Sequence, residues 1–352
     1  MPIDKRTVLF IVGPTAIGKT ALALKLAREI GAEIISCDSM QVYKGMDILS
    51  QSPKPSETKK VRYHLVRSLS PAKEYSAGSF RKRAASLIDD IIGRKNIPII
   101  VGGTGLYVKG LVDGLFPAPK ADLKLRKEMY DYASRYGNRR LHKKLEKIDS
   151  SSASTIHPNN VRRVVRALEI CHSTGRTMTE LKRGTKGIAD KYRIKIFGLT
   201  APREEVYSNI NARVERMFAS GVVNEVKKLS GKGLSKTAKA VLGFKEILGF
   251  LKNEYSLDEA KELMKRNTRR FAKRQLTWFR ADKRIRWINL SSLRATKKAE
   301  AILKEIASSF DPSTGSGSVL SLPKDDKSSG RSPERSRGAS SALRASSIRR
   351  GA

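Results

Sequence analysis

Cysteine is nearly absent from this chain. Only Cys37 and Cys171 occur in 352 residues, which excludes a disulfide framework and any zinc site built on paired thiolates. Histidine is as sparse, with four scattered residues that suggest no metal cluster. No stretch approaches the roughly 20 apolar residues needed to span a bilayer. The short apolar run in MPIDKRTVLFIVGPT leads into a glycine loop and not a cleavage site, so it reads as a buried strand rather than a signal peptide. These absences fit the reducing cytoplasm, and a cytoplasmic monomer is the expectation. Acidic residues are also scarce: 34 Asp and Glu face 71 Lys and Arg, a formal net charge of +37. A surplus of that size attracts polyanions, and without a membrane segment the charge points to nucleic acid.

What is present reads as an α/β chain. Thr7–Val12 and Ile97–Val101 are uninterrupted apolar runs of the kind that parallel sheets bury on both faces. Glu33–Ser36 is a shorter strand. Helical spacing from about Gly18 to Ile30 and over Ala77–Gly93 separates them, so the first part of the chain, 1–119, predicts a parallel sheet wrapped by helices. Pro117 and Pro119 then punctuate the chain. Over 120–191 strand-like runs vanish and charged helical segments take over, which predicts a helical insertion. Arg193–Leu199 returns to the sheet. The second part of the core, 192–310, carries helices at about 203–219, 222–230, 240–252 and 256–280, a last short strand Arg286–Asn289 and a last helix at 293–309. Beyond Asp311 the composition collapses into Ser, Gly, Pro, Arg and Lys, and a disordered basic tail is expected over 311–352. That tail holds eight Lys and Arg against four Asp and Glu, so the basic surplus belongs to the body.

The strongest motif is Gly13-Pro14-Thr15-Ala16-Ile17-Gly18-Lys19-Thr20, a complete G-x-x-x-x-G-K-T between a strand and a helix. Its glycines let backbone amides curl around phosphate oxygens, and the helix N-terminus adds the positive end of a dipole. Lys19 brings a full charge, and the Thr20 hydroxyl suits Mg²⁺. The loop specifies a polyphosphate without saying which one. An ordinary nucleotide hydrolase would add a strand ending in a Mg²⁺-holding Asp. Here Ile97–Val101 ends in Gly102-Gly103-Thr104-Gly105 instead, a second flexible loop with a hydroxyl at Thr104. The only strand-end acid is Asp38. Spacing leaves three readings of it open: a Mg²⁺ ligand, an acceptor for an amine nucleophile, or a turn residue. Two basic helices follow. In Val161–Cys171, Arg162 and Arg166 lie four apart with Arg163 beside them. Lys265–Arg274 holds six basic residues in ten. Two such faces favour phosphate-backbone contact.

These segments, in this order, resemble the tRNA dimethylallyltransferase family. The matching pieces are GPTAIGKT (13–20), DSMQVYKGMDI (38–48), EYSAGSFR (74–81), PIIVGGTGLY (98–107), IHPNNVRRVVRALEI (156–170), RVERMFASGVVNEV (213–226) and KRQLTWFR (273–280). They span roughly residues 7–290, and the absence of a C-terminal zinc-finger spacing fits the bacterial branch. The resemblance implies transfer of a dimethylallyl group from its pyrophosphate to the N6 amine of the adenosine 3′ to the tRNA anticodon, with Mg²⁺ as cofactor. It implies that Gly13–Thr20 and Arg213 hold the donor pyrophosphate rather than ATP, and that Asp38, Thr104 and Lys19 serve catalysis. It further implies that the anticodon stem-loop is contacted by Asp38, Ser39, Met40, Gln41, Thr104 and Arg126. The same role falls to Arg162, Arg163, Val164, Val165 and Arg166, and to Lys273, Arg274, Gln275, Leu276, Thr277, Trp278, Phe279 and Arg280. Phe244 and Lys245 match a further tRNA-facing stretch more loosely. Three rivals remain at this point. A P-loop kinase of a small metabolite explains 13–20 but not the basic helices. A prenyltransferase of free adenine nucleotides needs no large RNA surface. An RNA-binding protein with a vestigial loop needs no intact Lys19, Thr20, Asp38 and Thr104.

Overall fold

A computed structural model describes residues 6–290, all within one compact unit. The expected helix at 293–309 and the tail lie outside the described residues. Six strands form one sheet: β1 (Thr7–Val12), β2 (Ala32–Ser36), β3 (Tyr63–His64), β4 (Ile97–Gly102), β5 (Arg193–Thr200) and β6 (Ile285–Asn289). Their order is β3-β2-β4-β1-β5-β6, and every pairing is parallel. The strands therefore all end on the same edge. The pleat sends alternate residues to opposite faces. Val8, Phe10 and Val12 of β1 join Ile35, Ile100 and Ile196 in one core. Leu9 and Ile11 join Ile34, Ile99, Phe197 and Leu199 in the other.

Helices cover both faces. α1 (Lys19–Ile30) packs Ala23, Leu24, Leu26 and Ala27 onto the second core. After the short α2 (Pro55–Thr58), α3 (Ala77–Gly93) packs Phe80, Ala84, Ile88 and Ile91 onto the first. Ser76 caps α3 by accepting from the Ser79 amide at 3.1 Å, which satisfies one of the donors a helix start leaves open. α4 (Gly105–Val112) follows β4 directly. The insertion contributes α5 (Leu123–Tyr136), α6 (Asn138–Ile148), α7 (Ser150–Thr155), α8 (Val161–Thr174) and α9 (Met178–Arg183). These helices have their own apolar centre of Ala133, Leu141, Leu145, Ala153, Ile156, Val164, Val165 and Leu168. α10 (Arg203–Ala219), α11 (Val222–Ser230), α12 (Phe244–Leu251) and α13 (Leu257–Arg280) complete the described α-helices.

Two details depart from the sequence reading. β3 is only two residues long, too short to leave an alternating pattern. The helix expected at about 240–252 starts at Phe244, because Gly243 takes a left-handed φ of 92° as its N-cap and the preceding residues Ala238–Ala240 form a 3-10 turn.

The start of β2 carries a buried carboxylate, Glu33, 4% exposed. It accepts hydrogen bonds from Arg94 at 2.9 and 3.0 Å, from Asn96 at 2.8 Å and pairs with His64 Nε2 at 2.7 Å. Burial alone would raise its pKa. The bonds from Asn96, His64 and Arg94 outweigh burial and hold it at about 2.

Candidate active site

The C-terminal edge of the sheet gathers the chemistry. β1 runs into the phosphate loop, β2 into Asp38, β4 into the Gly102–Thr104 loop, and α13 passes over them. Ligands in open parallel sheets collect at this edge because helix N-termini and flexible loops converge there. The phosphate loop needs its glycines. Gly13 takes φ 143°, and a Cβ there would lie 2.7 Å from the Leu199 carbonyl oxygen of β5. The loop curls further through Ala16 and Gly18, both with positive φ. Helix α1 starts at Lys19 without any side-chain cap, and half-buried Thr20 lies in its first turn.

Lys19 Nζ donates to the Pro14 carbonyl at 2.7 Å. Its pKa is pushed down to about 7, by burial first and then by repulsion from Arg213, against the attraction of Asp38. Arg213, on α10, donates to the Thr15 hydroxyl at 2.9 Å, so two cations from distant segments converge on one loop. Asp38 closes the group. Its Oδ1 accepts from the Met40 amide at 2.8 Å and the Gln41 amide at 3.4 Å. Burial nevertheless raises its pKa, more than those amides, Lys19 and Arg213 together lower it. The Gln41 side chain accepts from Ser36 at 2.7 Å and donates to the Gln51 carbonyl at 3.1 Å, fixing the turn that carries Asp38. Thr104 is the N-cap residue of α4, yet its hydroxyl makes no capping bond. A two-cation cradle beside a half-buried, raised-pKa carboxylate suits an anionic leaving group on one side and proton removal on the other.

The family model for IPP transferase matches residues 41–282. The chain belongs to the IPP transferase family. It is 45% identical to the tRNA dimethylallyltransferase of Halothermothrix orenii over 310 residues, 87% of this chain and 94% of the relative. Its fold is similar to the crystal structure of the full-length tRNA isopentenylpyrophosphate transferase from Bacillus halodurans, with TM-score 0.65, 38% identity, and 87% of this chain and 97% of that one covered. A eukaryotic dimethylallyltransferase captured acting on tRNA is also similar, with TM-score 0.69 and 29% identity over 86% of this chain and 80% of that one.

Within this family member the sequence-derived candidates fall into three groups. Gly13–Thr20, Asp38, Thr104 and Arg213 come together at the sheet edge, with Ser39, Met40 and Gln41 on the adjoining turn. On α8, Arg162 and Arg163 are exposed, and no carboxylate among the described residues holds them. Arg166 differs: it pairs with Glu169 and donates to the Pro119 carbonyl at 3.0 Å. Arg126 grips the same Glu169 through two bonds of 2.9 and 2.8 Å. Val164 and Val165 are buried in the insertion's centre, as Phe279 is in the main core. These three hold their helices in place and leave the outer surface to their neighbours. On α13, Lys273, Arg274, Thr277 and Trp278 are exposed and Leu276 is half-buried. Arg280 is exposed as the last residue of the helix. Phe244 is buried and Lys245 exposed.

Sequence reasoning missed Glu169 altogether. It is fully buried and also accepts from the Asp122 amide at 2.7 Å, so it ties the entrance of the insertion to α8. An acidic residue three places after an Arg in a basic helix was its only local signal. The convergence of Lys109 on α4 and Arg163 on α8 near Lys182 on α9 was also invisible in one dimension. Partial burial and then these two cations push the Lys182 pKa down.

Proposed function

We propose that this protein transfers a dimethylallyl group from dimethylallyl pyrophosphate to the N6 amine of the adenosine 3′ to the anticodon in tRNA, releasing pyrophosphate. The observation that carries the reading is the convergence of Lys19, Arg213 and Asp38 at one sheet edge, beneath helices with exposed cations. Family membership supports it, and so does the net charge of +37.

The amine nitrogen attacks C1 of the donor. The N6–C1 bond forms, the C1–O bond breaks, and the electron pair leaves on the pyrophosphate oxygen. Lys19, Arg213 and the amides at the start of α1 stabilise the charge that develops there. One such contact contributes on the order of 3 kcal/mol. Asp38 accepts the amine proton, a role worth about 10²–10⁴-fold, and its raised pKa makes it a stronger base than an exposed aspartate. Thr104 is placed to donate to the departing oxygen. The adenine must leave the anticodon stack, at a cost of a few kcal/mol. Arg162, Arg163, Lys273 and Arg274 offset that cost by gripping the backbone, which makes the 120–191 insertion and α13 the RNA-binding faces.

Mg²⁺ fits in a limited way. Among the described residues no group of three His, Cys, Asp or Glu could hold a metal, so the protein offers oxygen donors, chiefly Thr20, to an ion that arrives with the phosphates. When bound, the ion would add positive charge at the leaving group.

Mass spectrometry of nucleosides from unmodified tRNA, incubated with the protein and the donor, tests the reading. The expected result is one N6-dimethylallyl adenosine per substrate tRNA without ATP. Transfer of the ATP γ-phosphate and no allyl transfer would return the kinase reading.

A further inference from the structure

Helix α13 buries a stripe of Ala260, Met264, Thr268, Ala272, Gln275 and Phe279. Two members are polar. Thr268 satisfies itself within the helix, donating to the Met264 carbonyl at 2.7 Å. Gln275, 7% exposed, reaches outside it. A buried amide must place both its ends, and each end of Gln275 lands on a different loop of the site. Oε1 accepts from the Thr15 amide of the phosphate loop at 2.9 Å. Nε2 donates to the Gly103 carbonyl of the second loop at 2.9 Å.

The loops are shaped around this contact. A Cβ on Gly103 would lie 2.1 Å from Gln275 Nε2. Two residues on, a Cβ on Gly105 would lie 2.2 Å from the Trp278 ring. So α13 seats against the β4 loop at two points, both open only because glycine stands there. Thr15 is held a second time, since its hydroxyl accepts from Arg213. On the outer side of the same turns lie the exposed Lys273 and Arg274.

We infer that Gln275 is a positioning residue that transmits RNA docking on the outer face of α13 to the phosphate loop. The inference rests on the prenyl-transfer reading and deepens it. Phosphates that draw on Lys273 and Arg274 shift the helix by fractions of an ångström. Hydrogen bonds of 2.9 Å weaken steeply when bent or stretched, so the amide carries that shift to Thr15 and Gly103 together. The loop then holds the donor pyrophosphate best when RNA is seated.

The test uses the full chain and its Gln275→Met and Gln275→Glu variants. Methionine keeps the length and loses both bonds. Glutamate keeps the acceptor for Thr15 but sets a carboxylate oxygen against the Gly103 carbonyl. The affinity for inorganic pyrophosphate with Mg²⁺ is measured with and without saturating tRNA, beside tRNA affinity, kcat and Tm. Wild type should bind pyrophosphate at least about fivefold more tightly with tRNA present. In both variants that ratio should fall below about twofold and kcat should drop tenfold or more, with tRNA affinity within about threefold of wild type. A wild-type ratio near one overturns the inference. So does a variant that keeps the wild-type ratio, including one whose Tm falls while both ligands weaken equally, which is what a mere structural pin predicts. Wild-type protein that transfers no dimethylallyl group overturns the functional reading instead. The pyrophosphate ratio needs no turnover and still decides the role of Gln275.

Discussion

Strand β2 begins and ends near a carboxylate, and the two behave in opposite ways. Glu33 lies at its start and is saturated by Arg94, Asn96 and His64, which hold its pKa at about 2. Asp38 lies just past its end, where burial outweighs two backbone amides and two cations and lifts its pKa above the ordinary value of 3.8. One strand thus carries a charge spent on stability and a charge kept in reserve. Helix α8 repeats the contrast with the other sign: Arg166 is tied to Glu169 while Arg162 and Arg163 face solvent. A partnered charge holds the fold; a charge left under strain or in the open is available to a substrate.

The largest expected break between the two carboxylates is in rate. Asp38→Asn should lower kcat by about 10²–10⁴-fold while leaving Tm unchanged or raising it by up to about 3 °C, since it removes a charge that burial penalises. Single-turnover kinetics and calorimetry on one preparation check both halves. Near-normal turnover would remove Asp38 from its role as base.

Glu33→Gln should do the reverse. It should cost about 2–3 kcal/mol of stability by weakening bonds to a charged, buried acceptor, and the folded fraction should keep wild-type kcat. Urea unfolding read alongside activity tests this, and a loss of kcat in fully folded protein would contradict it.

Acid separates the two groups without mutation. The Glu33 pKa is lowered by folding, so its contribution is complete above its unfolded value near 4.5 and is lost as pH falls toward about 2. The Asp38 pKa is raised, so the proton that disables the base arrives at a higher pH than for an ordinary aspartate. Lowering the pH should therefore stop turnover while circular dichroism still reports a folded chain. Activity and structure lost at one and the same pH would collapse the distinction.

The smallest effect should come from α8. Changing Arg162 and Arg163 to Gln should each reduce the slope of log affinity for tRNA against log salt by about 0.7–0.9, with Tm unaltered. Arg166→Gln should instead lower Tm, because it leaves buried Glu169 with Arg126 alone among side-chain cations, and should change the slope little. Slopes unchanged from wild type in the Arg162 and Arg163 variants would place the RNA on another surface.

What the sequence revealed and what it hid divide along the distance between partners. The phosphate loop, the strand-end Asp38 and the buried strands β1 and β4 are contiguous patterns, so a single strip of sequence displays them. Gln275 satisfies its amide on residues 260 and 172 positions away, and Glu169 binds Arg126 across 43. No local pattern records such pairings, which is why three arginines of α8 looked alike in sequence and part in three dimensions. Arg213 became readable only through family resemblance, since nothing near it in the chain announces a phosphate loop 198 residues earlier.

The strand order also sets a timetable for the nascent chain. β1 is synthesised before both of its neighbours, β4 and β5, with Leu9 opposite Ile99 on one side and Lys195 on the other. At about 5–20 residues per second, translation reaches β5 on the order of 10–40 s after β1. Through that interval the apolar run Val8–Val12 has at least one bare edge, a liability that contacts so distant in sequence make unavoidable. The amide that braces the phosphate loop arrives later still, with α13. A half-made chain already rich in cations therefore has the charge to touch RNA before it has the cradle to use a donor, and reactive capacity appears only when the last described helix has been released.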